Sequence, residues 1–233
     1  MESAAFIREC LQRNLGVTFC YMAIYAALSA IVLGLDHLVI GIPDADQPLS
    51  AAVKTYELVK QLGVVVIQAV VQSVVFARMG REMDRPLWRN PDDWTAVKRF
   101  FNLWLTLGLV ETVWIQLATL TAEAESGGAG LLFMVYLLTA FIKIPIGACV
   151  MFYGAFVLKE FGRAIAPLGV LFPKLMLLML VNFCVLGLVL LGFGPPDSTV
   201  QYVVTTALTA ISAYAECVVF AGAWLMCIEH RSL

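Results

Sequence analysis

The chain has 233 residues, of which 61% are hydrophobic and 14% charged, with a formal net charge of -2 and a mean hydropathy of +0.87. An ordinary soluble domain has about 45–50% apolar and 25% charged residues, so water is excluded as the main solvent of this chain. A general role in nucleic-acid binding is also excluded, because such binding needs concentrated lysine and arginine to neutralise phosphates.

Six apolar segments approach or exceed the roughly 17–25 residues needed to cross a hydrocarbon core about 30 Å thick. They cover residues 16–42, 59–79, 99–122, 130–158, 175–194 and 199–228. The first continues to Leu35, past the small residues at 27–30, which favours a retained span over a cleaved signal peptide. The sequence therefore predicts an all-α, polytopic integral membrane protein whose single domain, residues 1–233, is a bundle of about six transmembrane helices.

The basic residues are distributed unequally between the two sides of this predicted bundle. Twelve of the fifteen fall in segments on one side, and only Lys54 and Lys60 fall on the other, with Lys143 inside a span. The twelve are Arg8, Arg13, Arg78, Arg81, Arg85, Arg89, Lys98, Arg99, Lys159, Arg163, Lys174 and Arg231. The positive-inside rule then places both termini in the cytoplasm, and we expect a plasma membrane or bacterial inner membrane location.

The start of the third helix is marked by the segment Asn90-Pro91-Asp92-Asp93. Asn90 is the N-cap candidate, Pro91 suits the first helical position, and the two acids suit the positive end of a helix. We therefore expect this helix to begin before it enters the lipid.

Three charged residues are predicted at membrane depth, namely Glu111 in the third span, Lys143 in the fourth and Glu216 in the sixth. A charge at a helix centre costs about 2.5–3.5 kcal/mol on the insertion scale, so such residues are expected to pair or to serve a function. Glu111 and Lys143 lie at matching depth on consecutive antiparallel helices and form the natural pair, with Glu216 as the competing acid. An ion pair that only fixes helix register is the alternative interpretation.

Polar residues recur at helical spacing on four of the predicted spans, which indicates inward-facing polar stripes. The sixth span carries a stripe that consists of Gln201, Thr205, Thr209, Ser212 and Glu216. The other spans align Asn14, Thr18, Tyr21, Tyr25, Ser29 and Asp36; Gln61, Gln68 and Gln72; and Tyr136, Thr139 and Lys143, followed by Gly147 and Gly154. These stripes predict either a wet cavity or a dry bundle whose polar groups bond to each other.

Pro145 follows Lys143 by two residues and lacks the N–H that would bond the carbonyl of Phe141, so we expect a kink in the fourth helix. Kinked spans beside a charge are common at transporter sites, although prolines are also routine in membrane helices.

Sequence signatures of enzymes and of metal or cofactor sites are missing. The chain has no GxxxxGK[ST], HExxH or GxSxG motif. Its six cysteines show no CxxC spacing and it has only two histidines, so we expect no metal and no cofactor. The sequence predicts a protein that is not an enzyme.

The leading hypothesis from the sequence is a membrane transport or permeation protein, or a permease subunit, with a polar cavity around Glu111, Lys143 and Glu216. The alternative is a non-catalytic accessory or scaffold subunit of a larger membrane complex, and an enzyme acting on lipid ranks third. The expected partners are membrane lipids, together with other membrane subunits or a second copy of the chain.

Overall fold

Seven α-helices make up the part of the chain that the computed structural model describes, which is residues 2–39, 51–83, 92–124, 142–154, 158–170 and 199–232. They are α1 (Glu2–Arg13), α2 (Leu15–Val39), α3 (Ala51–Glu82), α4 (Asp93–Ala124), α5 (Ile142–Tyr153), α6 (Leu158–Val170) and α7 (Thr199–Ser232). No β-strand occurs within these ranges, so the all-α prediction is confirmed for them.

The long helices pack against each other in antiparallel pairs, α2 with α3, α3 with α4, and α2 with α7. In each pair, residues early in one helix contact residues late in the other. Between α2 and α3 the contacts are Asp36 with Lys60 and Tyr25 with Gln72. Between α3 and α4 they are Gln61 with Gln116 and Arg78 with Asp93. Between α2 and α7 they are Ser29 with Thr209 and Tyr21 with Glu216. Helix α7 therefore lies beside α2 although it is last in the chain.

Five fully buried aromatic side chains form the centre of the bundle, and we call them the aromatic core: Phe76, Trp104, Phe152, Phe220 and Trp224. Phe76 stacks on Phe220 with ring centroids 4.4 Å apart and lies 5.0 Å from Trp104. Trp224 contacts Phe220 and meets Phe152 edge-on at 5.1 Å. Helices α3, α4, α5 and α7 meet here, because each contributes at least one of these rings.

Glycines allow these large rings to fit between closely spaced helices. A Cβ atom on Gly147 of α5 would lie only 2.2 Å from the Trp104 ring, and one on Gly80 of α3 would lie 2.8 Å from Trp224. Small residues at helix contacts are the usual means by which membrane helices approach each other. Gly147 lies on the same face of the predicted fourth span as Lys143. Its presence there is explained by close packing against α4.

Charged side chains join the helices at both ends of the bundle. At one end Lys60 Nζ lies 2.8 Å from Asp36 Oδ1, which ties α3 to α2. At the other end Arg78 Nε donates a hydrogen bond of 2.8 Å to Asp93, which ties α3 to α4. Asp92 caps α4 by accepting a 2.8 Å hydrogen bond from the backbone N–H of Thr95. The cap is therefore Asp92 and the helix begins at Asp93, two residues later than the sequence predicted.

Three described helical segments are long and apolar enough to cross a membrane: Leu15–Val39, Thr55–Glu82 and Tyr202–Arg231. They correspond to the first, second and sixth predicted spans, and the third predicted span lies inside α4. The fifth, residues 175–194, lies outside the described residues. In the fourth, residues 130–141 and 155–157 lie outside the described residues, and α5 ends at Tyr153, where Gly154 adopts a positive φ of 70°.

Two helices lie in segments that the sequence interpretation left as cytoplasmic connections. Helix α1 precedes the first span and packs chiefly against α7, with Cys10 and Leu11 buried. Helix α6 also packs against α7, with Ala164 buried. The spacing of Phe6, Ile7, Cys10, Leu11 and Asn14 is helical and was the available signal for α1.

Candidate functional site

Glu216 of α7 lies against three buried polar side chains from α2 and α3. The hydroxyl of Tyr21 donates a hydrogen bond to Oε2 of Glu216. The amide nitrogen of Gln72 lies 3.1 Å from the hydroxyl of Tyr25, 3.3 Å from that of Tyr21 and 3.4 Å from Oε2 of Glu216. We call these four residues the Glu216 cluster. Its carboxylate is hydrogen-bonded by neutral donors, and within the described residues it has no ion-pair partner.

Lys143 of α5 forms an ion pair with Glu111 of α4, with Nζ 2.9 Å from Oε2. The side chain of Lys143 is 8% exposed and that of Glu111 is 20% exposed, so the pair is largely shielded from solvent. The pair expected from matching depth is therefore present, and Glu216 does not displace Glu111 from it. Its functional role stays a prediction.

The ion pair and the Glu216 cluster interact electrostatically, and we describe Glu111, Lys143 and Glu216 as one unit. The charges of Lys143 and Glu111 both act on Glu216, and the charge of Glu111 also acts on Tyr25. Two carboxylates and one ammonium group leave this unit with one excess negative charge when all three are ionised. Since an uncompensated charge in a buried environment is unfavourable, the unit favours a proton or a cation as a counter-charge.

Between the start of α7 and Glu216, the polar stripe of α7 faces α2. Thr209 Oγ1 lies 3.3 Å from Ser29 Oγ and donates a 2.9 Å hydrogen bond to the carbonyl of Thr205. Thr205, Thr209 and Ser212 are each partly exposed, while the side chain of Gln201 lies outside the described residues. The stripes predicted on α2 and α7 thus face each other across a helix contact.

Beyond Glu216 the surroundings of α7 change from polar to apolar. Cys217, Phe220 and Trp224 have no solvent exposure, and the aromatic core fills the space between α7 and its neighbours. The unit formed by Glu111, Lys143 and Glu216 therefore lies between a partly exposed polar stripe and a closed layer of aromatic rings.

Several buried polar atoms in this region lack a hydrogen-bond partner within the described part of the chain. They include Oε1 of Gln72 and the hydroxyls of Thr205 and Thr206. Gln72 is fully buried, and its amide nitrogen faces the carboxylate of Glu216, so its carbonyl oxygen is an unpaired acceptor within the same buried side chain. An unpaired buried acceptor costs about 1–3 kcal/mol, which favours a donor such as water at this position.

Pro145 is a buried residue of α5, two residues from Lys143. The carbonyl of Phe141, which the proline leaves without its usual donor, belongs to residues outside the described ranges. The predicted kink is therefore not tested, and within residues 142–153 the chain is helical.

Tyr21, Tyr25 and Gln72 are the residues that the sequence interpretation did not assign to the site. Each was recognised only as a member of a polar stripe, because helical spacing gives the face of a helix but not the residue opposite it. Tyr21 and Gln72 are 51 residues apart in the sequence, and Gln72 and Glu216 are 144 residues apart. Contacts between such distant residues leave no local pattern in the sequence.

Comparison of the chain with family models, with curated proteins and with solved structures finds no match. In the described residues, no group of three or more histidine, cysteine, aspartate or glutamate side chains is placed to hold a metal ion. The chemistry of the site has to be inferred from its own side chains.

Proposed function

We propose that the chain is a multi-pass integral membrane protein that moves a solute or ion through its bundle, with proton uptake and release at Glu216. About six spans cross the membrane, and both termini lie in the cytoplasm. Three apolar helices of sufficient length support the membrane location. The bundle end that carries Arg78 and α1 is the cytoplasmic end, in agreement with the positive-inside rule.

The observation that carries the proposal is the excess negative charge of the unit formed by Glu111, Lys143 and Glu216. Lys143 is already paired with Glu111, so among the described residues the carboxylate of Glu216 is the one without a fixed positive partner. A proton is the counter-charge that Glu216 can gain and lose without rearrangement of the ion pair. The gain and loss of this proton by Glu216 would be the step that couples proton movement to a transported solute.

The pathway follows from the different surroundings on the two sides of Glu216. The partly exposed stripe through Thr205, Thr209 and Ser212 forms the route from the external side. The aromatic core closes the route toward the cytoplasm. The described conformation is thus the outward-accessible one, and transport requires the rings to separate.

Proton uptake into proteoliposomes tests this function without knowledge of the solute. Vesicles that contain the wild-type chain and an internal pH dye are given a potential that is negative inside, and we expect acidification above that of empty vesicles. Glu216→Gln should abolish this uptake. Glu57→Gln is the matched control, because Glu57 is a carboxylate at the external end of α3 that pairs with Lys60. Equal uptake by wild type and Glu216→Gln, or none by either, would contradict the proposal.

An accessory or scaffold subunit is the second candidate, and the outer surface of α2 favours it. Large apolar side chains on this helix are exposed, including Phe19, Ile31 and Leu38, which is 80% exposed. A partner subunit would cover this surface, as lipid would. This candidate predicts no proton uptake by the purified wild type and loss of assembly when Ile31 and Leu38 are replaced by serine.

A further inference from the structure

An open groove lies where α1, α2 and α7 meet. Its volume is about 500 Å³, which is within the usual range of about 300–1,000 Å³ for small-molecule sites. Leu15, Phe19 and Met22 of α2 and Val218 of α7 form its apolar wall. Leu15 and Phe19 are 54% and 60% exposed, so apolar surface remains open at the rim.

Helix α1 positions polar groups at the entrance of this groove. Arg8 and Gln12 are one helical turn apart and both line it. The neighbouring acid, Glu9, is bonded to Arg13 and lines a separate depression, so it does not neutralise Arg8. In the described residues Arg8 has no ion-pair partner, and no acidic residue is part of the groove wall.

We propose that this groove binds an anionic phospholipid of the cytoplasmic leaflet. The phosphate lies against Arg8 and Gln12, and one acyl chain follows Leu15, Phe19 and Met22. Arg8 is a single cation with no acid beside it in the described groove wall, so it matches an anionic headgroup. A zwitterionic headgroup matches less well, because its ammonium group would find no carboxylate there. The proposal rests on the membrane location of the chain but not on proton movement.

The dimensions of the groove agree with an acyl chain. From Leu15 to Met22 the helix rises about 10 Å, at roughly 1.5 Å for each residue. One leaflet contributes about 15 Å of a hydrocarbon core that is about 30 Å thick. The groove therefore covers the part of an acyl chain nearest its headgroup and leaves the rest in the bilayer. Helix α1 lies at the depth where amphipathic interfacial helices meet headgroups.

Native mass spectrometry of the purified full-length chain tests the site, with phosphatidylglycerol and phosphatidylcholine as probes. Wild type should retain phosphatidylglycerol in preference to phosphatidylcholine. Arg8→Gln should reduce its retention about fivefold, as expected for one basic residue near an anionic surface. Arg163→Gln is the matched control, because it removes the same charge from an exposed position on α6 outside the groove. It should retain phosphatidylglycerol like wild type.

A second variant, Met22→Trp, fills the apolar part of the groove and should reduce retention of both lipids. Circular dichroism melting of each variant identifies any loss that is due to unfolding, and Arg8 is exposed, so its variant is expected to fold. Equal retention by Arg8→Gln and Arg163→Gln, or equal retention of the two lipids by wild type, would overturn the proposal. Displacement by excess inorganic phosphate would also overturn it, since it would indicate an anion site and not a lipid site.

Discussion

The ammonium group of Lys143 is largely buried and held by Glu111, so its removal leaves a carboxylate without a partner. Removal of one member of a buried ion pair costs about 3–5 kcal/mol. We expect Lys143→Met to lower the free energy of unfolding by about 3 kcal/mol. This is the lower end of that range, because the side chain of Glu111 is partly exposed to solvent. Unfolding of the reconstituted protein in a denaturing detergent, followed by circular dichroism, measures this change.

The double variant Lys143→Met with Glu111→Gln is the control for that prediction. It removes both charges and should recover part of the loss, because no uncompensated charge remains. If the two single losses add in the double variant, the residues do not stabilise the fold as a pair.

Asp93, which lies outside the predicted spans, provides a pH dependence. Hydrogen bonds from Arg78 lower the pKa of its carboxyl below the usual range. The stabilising contribution is therefore present above the unfolded pKa of about 3.9 and is lost as the pH falls through the lower folded value. Because both side chains are nearly half exposed, the contribution is at most about 1 kcal/mol. We expect Asp93→Asn to destabilise the protein at pH 7 but not at pH 2, as measured by unfolding at both pH values. An equal effect at the two values would contradict the role of the ion pair.

At the scale of elements, the spacing of α4 and α5 depends on Gly147. A methyl group there would meet the Trp104 ring at 2.2 Å, and both residues are fully surrounded. Added atoms in a packed core cost typically about 1–3 kcal/mol, so Gly147→Ala should destabilise the bundle by that amount. Thermal unfolding of the purified variant measures the change.

Gly34→Ala is the matched control, because Gly34 is also inside a helix but a Cβ atom there meets nothing within 4 Å. Alanine should stabilise α2 by about 0.5–1 kcal/mol through its higher helix propensity. Similar effects of the two substitutions would show that α4 and α5 are not in close contact at Gly147.

The long apolar helices could be predicted from the sequence because their signal is local. Helix α7, from Thr199 to Ser232, contains the whole of the predicted sixth span, and α3 contains the second. Helices α1 and α6 were missed because they are short and their polarity resembles that of connecting loops. The end of α5 at Tyr153 could not be predicted, because a positive φ at Gly154 leaves no trace in hydropathy.

The candidate site could be predicted only in part. Glu111 and Lys143 were paired correctly, because antiparallel helices of known length fix depth and few charges lie at that depth. The neutral partners of Glu216 could not be predicted, because contact between α2, α3 and α7 depends on how each helix is rotated and which helices are neighbours. That information lies in the tertiary packing and not in the spacing along one helix.

At the scale of the whole molecule, the described conformation is asymmetric about Glu216. The partly exposed residues Thr205, Thr209 and Ser212 lie toward the start of α7, and closed aromatic rings lie toward its end. A dry structural bundle has no need of such a difference, whereas a transport pathway that opens to one side at a time requires it. The asymmetry is therefore the feature of the whole bundle that most favours transport over a scaffold.

Side-specific labelling of single cysteines tests this pathway most directly. In sealed cells that express a chain whose native cysteines are replaced, an impermeant thiol reagent added outside should modify Thr205→Cys, Thr209→Cys and Ser212→Cys. It should not modify Ala223→Cys in the closed layer or Val203→Cys on the exposed apolar surface of α7. If the stripe cysteines are as unreactive as Val203→Cys, or react only from the cytoplasmic side, then the proposed external route to Glu216 does not exist.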